Sequence, residues 1–399
     1  MKASKCVVLF LAVGWSGSAW AAGFAVDVHA GRATGMATAV TAHIDDASAA
    51  YYNPAGLAQG IGLDLQLGDT VIVPSFKFQD PAGNTSKGKT QAVPPPHLYA
   101  SYGVTNDFSL GFGLYSPYGL VVPWSEHWQG QFLTVESDLK TFYINPQVAY
   151  RFADRVRVGG GVQIVRATVT LNRNLNFVDT TGKVELGGAA WGVGGNLGVQ
   201  VEILPKILSF GASWRSAVGL KVKGRAHFSN VPTGLQGLLA DQDVATDVHL
   251  PSTLGLGLGF RPIPDLQLGF DVDYTGWQLV RNLTIKFANP NLTTIQPKDW
   301  THTWNFHLGG EYTINPQWRV RAGIQIDPTP SPQYTITPEL PDANRVNIAI
   351  GAGYRWRNFT FDLGYQLVVI TTVTSTAPQF PGTYNGLANL ASLTVGFHL

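Results

Sequence analysis

The sequence predicts an all-β transmembrane protein, a barrel of about 14 antiparallel strands plugged by a small N-terminal helical hatch. After about residue 60, nearly every second residue of each strand-like run is apolar, as where Leu254, Leu256 and Leu258 alternate with glycines. A period of two places one face of a strand in an apolar medium and the other in a polar one. No helical half of the sequence exists to cover so much apolar surface, so lipid is the expected medium.

The composition agrees with one large sheet in a membrane. The 399 residues include 45 glycines, 14 tyrosines and 11 tryptophans, and only 13% are charged. The net charge of +1 provides neither the basic surface of a nucleic-acid-binding protein nor an acidic tail. Beyond the first residues, no apolar run reaches the roughly 18 residues that a membrane-spanning helix needs. Any crossing of a membrane is therefore expected to be by strands.

Residues 1–21 have the pattern of a secretory signal peptide. Two lysines precede an apolar run at residues 7–13, and small residues before Ala22 form the expected cleavage site. The single cysteine, Cys6, is removed with this segment. We therefore expect no disulfide, thiol chemistry or cysteine metal site in the mature chain.

Residues 22–60 are interpreted as the hatch. They are rich in Ala, Gly and Thr and lack the alternation, so they predict short helices and turns. Fourteen strands enclose more space than their own side chains fill, and this segment is the candidate plug. Within it, Pro54 fixes its own φ and keeps Asn53 out of the helical region, so Asn53, Pro54 and Ala55 are predicted to form a rigid turn.

Residues 61–399 are interpreted as the barrel, with an even number of strands, as single-chain bacterial barrels require. Strands are expected at residues 62–74, 95–104, 107–116, 139–153, 155–171, 184–203, 207–228, 244–261, 265–287, 301–313, 317–327, 343–356, 358–372 and 389–399. Short turns alternate with long connections, and the short turns are expected on the periplasmic side. The long connections, expected outside the cell, are at residues 75–94, 117–138, 229–243, 288–300, 328–342 and 373–388.

Alternation also assigns charged side chains to the lumen. In the strand at 317–327, Arg321 and Asp327 lie on the face opposite the apolar side chains, and the same split turns Arg345 inward. A cation on the lipid face at mid-bilayer costs about 2 to 4 kcal/mol, so the polar face is expected inside. Arg166 is turned outward by the same alternation.

The hatch sequence, down to Asn53-Pro54-Ala55, resembles the N-terminal segment of the FadL/TodX family of outer-membrane transporters of hydrophobic compounds. Further segments resemble those of the family in the same order along the chain. They are residues 116–120, 250–253 with 273–277, 321–324 with Asp327, and 341–345. The resemblance implies capture of a hydrophobic ligand in an outer groove, transfer to a tighter lumen site, and lateral release where the third strand is kinked. The hatch is then expected to control that passage.

The family resemblance also implies roles for particular residues. Gly and Pro permit a break in strand pairing, so the kink of the third strand is expected at Gly111, Gly113, Ser116 and Pro117; the alternative is that the glycines are ordinary and Pro117 only begins a loop. Asn53, Pro54 and Ala55 are expected to gate by abutting the kink, and the alternative is a simple helix stop.

The outer groove is expected in the loop after the seventh strand, where Leu235, Leu238 and Leu239 follow one another closely. Trp124 and Trp128 are a candidate second lip, with interfacial belt aromatics as the alternative. The partner loop near residues 172–183 is short and polar, which predicts a shallow groove.

In the lumen, Arg321 and Arg345 are candidates to bind a ligand carboxylate. The alternative is an ion-pair lattice in which these arginines and Asp327 hold the hatch to the wall.

The function that this sequence predicts is passive outer-membrane transport of long-chain fatty acids or similar hydrophobic molecules, with lateral release into the bilayer. The alternatives are uptake of monoaromatic hydrocarbons and, more distantly, a general porin or adhesin. The sequence has no Gly-x-Ser-x-Gly motif, and none of its His pairs has the spacing of metal ligands on one face. These observations give no indication of an enzyme. The expected partners are the hydrophobic ligand, outer-membrane lipid and, during biogenesis, the barrel-assembly machinery. No nucleic acid, cofactor or metal is expected, and the protein is expected to be a monomer.

Overall fold

The computed structural model describes residues 23–153 and 155–399. The predicted signal peptide, its cleavage site before Ala22, and Cys6 lie outside the described residues. Within them, 20 strands form one antiparallel sheet that closes because the first strand pairs with the last. The strands are β1 (Gly62–Gln79), β2 (Thr85–Lys87), β3 (Pro96–Gly103), β4 (Phe108–Tyr115), β5 (Gly119–Pro123), β6 (Glu136–Phe152), β7 (Val156–Asn176), β8 (Thr181–Leu204), β9 (Leu208–Arg215), β10 (Val218–Ser229), β11 (Gln242–Leu250), β12 (Thr253–Ile263), β13 (Leu266–Thr275), β14 (Asn282–Phe287), β15 (Thr294–Pro297), β16 (Thr303–Thr313), β17 (Trp318–Asp327), β18 (Arg345–Trp356), β19 (Phe359–Ser375) and β20 (Gly382–His398).

The described strands form a closed 14-stranded barrel, which confirms the predicted fold class. Five of the other strands (β5, β10, β11, β14 and β15) continue a barrel strand beyond an interruption, and β2 pairs with the outer end of β1. Two interruptions contain a proline, Pro117 between β4 and β5 and Pro251 between β11 and β12. Proline has no N–H to donate to the ladder, which favours a break at these points.

Several strands run further than the alternation predicts. β19 ends at Ser375 and β20 begins at Gly382, so the long connection expected at 373–388 is only a short turn. β7 and β8 similarly extend to residues 176 and 181 and shorten the loop expected at 172–183. Beyond the membrane both faces of a strand meet water, so the alternation fades although the backbone pairing continues.

The predicted assignment of side chains to the two faces is confirmed. On β17, Ile324 and Ile326 are 42% and 49% exposed on the outer face, whereas Arg321 and Asp327 are 4% and 3% exposed on the inner face. Arg166 of β7 lies on the outer face beside Trp191, with its guanidinium carbon 5.2 Å from the ring centroid. The barrel therefore has an apolar outer wall and a polar lumen.

Residues 23–60, which we call the hatch, lie inside the barrel. Two four-residue helices, α1 (Gly31–Thr34) and α2 (Ala49–Tyr52), are followed by a 3₁₀ turn at Pro54–Leu57. The hatch approaches the wall backbone to backbone, since a Cβ on Gly31 would lie only 2.1 Å from the carbonyl oxygen of Asp362. In the described residues, no helix has the length and apolar character to cross a membrane. The remaining 3₁₀ turns are at Thr233–Leu235, Trp277–Leu279, Pro290–Leu292 and Gln333–Thr335.

Candidate functional site

The barrel wall is interrupted in its third crossing strand. β4 ends at Tyr115 and β5 begins at Gly119, and in the described residues β5 pairs with β6 alone. On the facing edge, the ladder between β1 and β3 ends at the pair of Asp69 and Pro96. Above these points the connecting segment at residues 88–95 lies between the two edges. It is bonded to β1 through the bridge of Ile72 with Val93, and to β5 through Lys89 N–H, which donates to the carbonyl of Pro123 at 2.8 Å. We call this region between β1 and β5 the lateral gap.

One cavity, with a volume of about 470 Å³, is lined both by the lateral gap and by the lumen. Ile72, Leu120 and Val122 make the gap side apolar, whereas Arg215 and Asp273 are among the polar side chains at the lumen side. A pocket that is mostly apolar with a few convergent polar groups suits an amphiphilic or hydrophobic ligand. The cavity is therefore the candidate functional site.

The start of the hatch closes the broken strand from the lumen side. Val26 N–H donates to the carbonyl of Pro117 at 2.8 Å, and Gly119 N–H donates to the carbonyl of Phe24 at 3.0 Å. Ala25 thus lies opposite Tyr118 in an antiparallel bridge. These bonds satisfy backbone groups that the interrupted ladder leaves free. Residues 24–26, which we call the hatch strand, therefore act as a short extra strand behind the lateral gap.

An aromatic cluster holds the hatch strand in this position. The ring of Phe24 lies 4.8 Å from Trp277, 5.6 Å from Trp300 and 5.9 Å from Tyr118 between centroids. The pairs with Trp277 and Tyr118 are edge-to-face, and such pairs contribute about 0.5 to 1.5 kcal/mol each beyond the area they bury. These non-covalent contacts place the ring of Phe24 against the wall beside the break.

Asn53 fastens the hatch to itself and to β8. Its side-chain N–H₂ donates to the carbonyls of Thr41 at 2.8 Å and Val199 at 3.0 Å, and its oxygen accepts from Ala55 N–H at 3.1 Å. Pro54 begins the 3₁₀ turn. The expectation that Asn53 abuts the broken strand is therefore corrected. Its amide donates to one carbonyl of the hatch and to one of β8, and neither belongs to residues 116–118.

Ala50 and Leu57 are the hatch residues beside the two glycines of β4. A Cβ on Gly111 would lie 2.5 Å from Leu57 Cδ1, and a Cβ on Gly113 would lie 3.4 Å from the Cβ of Ala50. These two glycines lie inside a continuous strand, so they provide space for the hatch and do not form the break. The break itself lies at residues 116–118, and Ser116 and Pro117 both line the cavity.

Arg215, at the end of β9, lies at the lumen side of the cavity among tyrosines. It donates to the carbonyl of Tyr51 at 3.0 Å, and its guanidinium carbon lies 4.6 Å from the Tyr51 ring centroid and 5.6 Å from that of Tyr115. Cation–π contacts of this kind stabilise a desolvated cation by about 2 kcal/mol. The residue therefore links the wall, α2 and the end of β4.

Arg321 occupies a different network, further from the gap. It contacts Glu311 and Asp362, each at 2.6 Å, and Glu311 also lies 3.5 Å from Arg32 of the hatch. Arg32 in turn pairs with Asp46 at 2.8 Å. The arrangement is the ion-pair lattice between hatch and wall, one of the two interpretations given above for Arg321.

Arg345 and Asp342 clamp the beginning of the described hatch. Arg345 donates to the carbonyl of Gly23 at 3.1 Å and lies 3.3 Å from Asp342, which accepts from Gly23 N–H at 3.1 Å. Burial raises the pKa of the Asp342 carboxyl, against the opposing effect of Arg345. Asp327 faces Arg345 in the β17–β18 register and lines the cavity.

A second cavity, of about 230 Å³, lies among the strand extensions at the long-loop end. Leu171, Phe228 and Leu239 are among its apolar lining residues. Leu235 and Leu238, expected beside Leu239 in the groove, are 37% and 44% exposed and are not part of the lining. The connection at residues 172–183, which is expected to be polar, supplies apolar side chains here, because Leu175 and Phe177 line the cavity.

Trp124 and Trp128 do not line the second cavity. Their rings stack 4.1 Å apart and are 1% and 4% exposed, packed with Phe78 and Tyr384 in a separate cluster. The prediction that they offer apolar surface to a ligand is corrected, and so is the alternative of belt aromatics, because neither ring faces lipid.

In the described residues, no group of three or more His, Cys, Asp or Glu side chains is arranged to hold a metal ion.

The family model described as "Outer membrane protein transport protein (OMPP1/FadL/TodX)" matches residues 12–398 of this sequence. The chain belongs to this family. It is therefore an outer-membrane transport protein, as the closed barrel with its filled lumen also indicates.

Individual members of the OMPP1/FadL/TodX family are distant in sequence and similar in fold. The long-chain fatty acid transport protein of Escherichia coli strain K12 is 24% identical, with 88% of each chain covered. A 47 kDa outer membrane protein of Pasteurella multocida is 25% identical, with 96% of this chain and 95% of the relative covered.

Two solved members show how closely the family fold is shared. A Pseudomonas aeruginosa FadL homologue has a TM-score of 0.85 at 20% identity, covering 94% of this chain and 99% of its own. The Pseudomonas putida toluene transporter TodX has a TM-score of 0.76 at 19% identity. The match covers 92% of this chain and 97% of TodX. At these identities the likeness establishes the fold.

Arg215 and the aromatic residues around the cavity are not among the predicted site residues. The alternation along β9 does predict the direction of Arg215, because Trp214 faces outward and the next residue must then face the lumen. Tyr51, Phe24 and Trp277 offered no such signal, since they lie in segments without a period of two.

Proposed function

We propose that this protein moves long-chain fatty acids or similar hydrophobic molecules across the outer membrane by passive diffusion and releases them laterally into the bilayer. The observation that supports the proposal is a cavity lined by both the lumen and the lateral gap. An alkyl chain gains about 0.8 kcal/mol for each methylene that is buried. Release into lipid through the gap avoids exposing that chain to water, and no chemical step is needed, so the protein acts as a transporter and not as an enzyme.

In this proposal the ligand first enters the second cavity, beside Leu239, and then reaches the cavity of about 470 Å³ that adjoins the lateral gap. The hatch strand is the gate, since it separates the lumen from the gap with only two backbone hydrogen bonds. Asn53, Pro54 and Ala55 keep the rest of the hatch in place while residues 24–26 move. The polar residues Arg321 and Arg345 hold the hatch, and outer-membrane lipid receives the ligand.

A second candidate substrate is a monoaromatic hydrocarbon. Its support is the shared fold with the toluene transporter TodX and the apolar gap side of the cavity, which needs no charged group for such a ligand. We further propose that the protein works as a monomer and that the barrel-assembly machinery inserts it.

The test is uptake of radiolabelled oleate and toluene by cells that lack their own transporters. Wild-type protein is compared with Leu120→Trp, which fills the gap side of the cavity, and with Leu256→Trp on the lipid face of β12, at equal outer-membrane abundance. We expect saturable oleate uptake that falls at least tenfold in Leu120→Trp and is unchanged in Leu256→Trp. Uptake of toluene alone would favour the second candidate, and uptake of neither would refute the transport proposal.

A further inference from the structure

The outer wall carries a group of cations on β7 and β10, away from the lumen. Lys221, Lys223 and Arg225 follow one another on the outer face of β10 and are all exposed, whereas the alternate side chains of this strand point inward. Arg166 lies on the outer face of β7, with its guanidinium carbon 5.2 Å from the centroid of the Trp191 ring. We call Arg166, Lys221, Lys223 and Arg225 the basic outer patch.

The register of the sheet brings the two parts of the basic outer patch close together. β8 is the one strand between β7 and β10, so the two parts are about 10 Å apart across the sheet. Gly187 of β8 pairs with Thr170 on one side and with Arg225 on the other. A Cβ at Gly187 would have no atom within 4 Å. The cations therefore border an open groove with a glycine floor and a threonine beside it.

The position of the patch along the strands corresponds to the level of the lipid head groups. A strand that rises about 3.3 Å per residue and is tilted by about 40° crosses the roughly 25 Å apolar band in about ten residues. β7 begins at Val156, so the band ends near Arg166. Val162 and Ile164, just below Arg166 on the same face, are apolar and exposed. The cations thus begin where the apolar outer face ends.

The surrounding carboxylates leave the patch with an excess of positive charge. In the described residues, no carboxylate oxygen lies within 4.0 Å of any of its four cationic groups. Asp247 faces Lys221 in the β10–β11 register, but it lies 3.6 Å from Lys286. Asp243 faces Arg225 across the same ladder. A positive surface at the membrane interface attracts anionic head groups.

We propose that the basic outer patch binds the phosphate groups of a phosphorylated glycolipid in the outer leaflet of the outer membrane. Lysine and arginine form charge-assisted hydrogen bonds with phosphate oxygens. From Lys221 to Arg225 the cations extend about 10 Å along the barrel axis, which is further than the single phosphate of a phospholipid reaches. The groove at Gly187 gives room for a sugar, and Thr170 supplies a hydroxyl beside it. The patch is separate from the lumen, so the inference does not depend on the proposed function.

The experiment measures lipid binding by native mass spectrometry of the purified full-length protein in a non-ionic detergent. The probes are lipid A with both phosphates, the same molecule after enzymatic dephosphorylation, and phosphatidylglycerol. Wild type should bind phosphorylated lipid A in preference to the other two. In the triple variant Lys221→Gln, Lys223→Gln, Arg225→Gln we expect this affinity to fall about 100-fold, since each surface cation contributes to the attraction of an anionic lipid.

The matched control removes three exposed cations from the short-turn end of the barrel. The triple variant Lys206→Gln, Arg355→Gln, Arg357→Gln changes the net charge equally, and it should keep the wild-type affinity for lipid A. Retention of the fold is checked for both triple variants by the electrophoretic shift on heating.

A charge-preserving variant separates loss of charge from damage to the strand. Lys221→Arg combined with Lys223→Arg should bind phosphorylated lipid A as wild type does. Equal binding of the phosphorylated and dephosphorylated glycolipids by wild type would refute the inference without any substitution. Equal binding of phosphatidylglycerol would also refute it, because the patch would then attract any anionic lipid. Unchanged affinity in the variant without Lys221, Lys223 and Arg225 would show that lipid A binds elsewhere.

Discussion

At the scale of single residues, the charges of the lumen are stabilised mainly by one another. Arg321 has a fully buried side chain between Glu311 and Asp362, and Arg32 extends the lattice into the hatch. A buried ion pair gains little net free energy when complete, but it is costly to break because one charge stays unpaired. The lattice therefore fixes where the hatch docks more than it increases the total stability.

We predict that Arg321→Ala lowers the free energy of unfolding by about 3 to 5 kcal/mol, because Asp362 and Glu311 lose their shared partner. The measurement is the midpoint of unfolding in urea. The folded fraction at each urea concentration is read from the mobility of unheated samples in gel electrophoresis. Arg319→Ala is the matched control. Its side chain is 32% exposed and lies 4.0 Å from Glu311, so its loss is expected to cost at most about 1 kcal/mol. Equal midpoints for the two variants would contradict the predicted contribution of Arg321 to the free energy of unfolding.

At the scale of elements, the decisive feature is the pairing of the hatch strand with the interrupted wall. Residues 24–26 supply the backbone partners that β4 and β5 lack at residues 117 and 119. A short strand held by two hydrogen bonds and one aromatic anchor can leave without disturbing the rest of the sheet, since β5 remains paired with β6. Local opening of this kind costs far less than unfolding of the barrel.

We predict that a disulfide between Ala25→Cys and Tyr118→Cys blocks transport. These residues form a non-hydrogen-bonded antiparallel pair, whose Cα atoms are typically about 4.5 Å apart, within the range of a disulfide. Uptake of oleate is measured in cells before and after mild reduction. The oxidised form should be inactive and the reduced form active, with the single variants insensitive to reductant. Equal uptake in the two redox states would show that the hatch strand does not need to move.

At the scale of the whole molecule, the barrel is an apolar shell around a filled polar lumen. The hatch contributes a continuous buried cluster that includes Met36, Val40 and Ile44, all without measurable exposure. A barrel of 14 strands leaves interior space that its own side chains do not fill. Closure to water therefore depends on the hatch and not on the wall.

We predict that deletion of residues 24–58 converts the protein into an open channel. The variant should conduct ions in planar bilayers, whereas wild type should remain near the baseline, because nothing else in the described residues spans the lumen. Retention of the folded barrel is checked by its electrophoretic shift on heating. Unchanged conductance would contradict the assignment of the hatch as the plug. It would favour the general-porin alternative if wild type and variant conduct equally well.

The barrel, its number of strands and the inward or outward face of the strand residues could be predicted from the order of residues. These properties depend on the period of two along one strand, which is local and visible in the order of residues, as for Ile324 and Arg321. The sequence also indicated that the third strand breaks near Pro117, because the missing N–H of proline acts on its own backbone.

Which inward side chains meet could not be predicted, because it depends on how the hatch packs inside the closed sheet. Asn53 binds the carbonyl of Val199, 146 residues away, and so does not abut the broken strand. Trp124 and Trp128 stack inside a separate cluster, and Arg215 stays without a carboxylate although several face the same lumen. These outcomes follow from the curvature of the closed sheet and the path of the hatch through it. Neither has a period along the chain, so neither can be derived from the alternation that fixed the barrel.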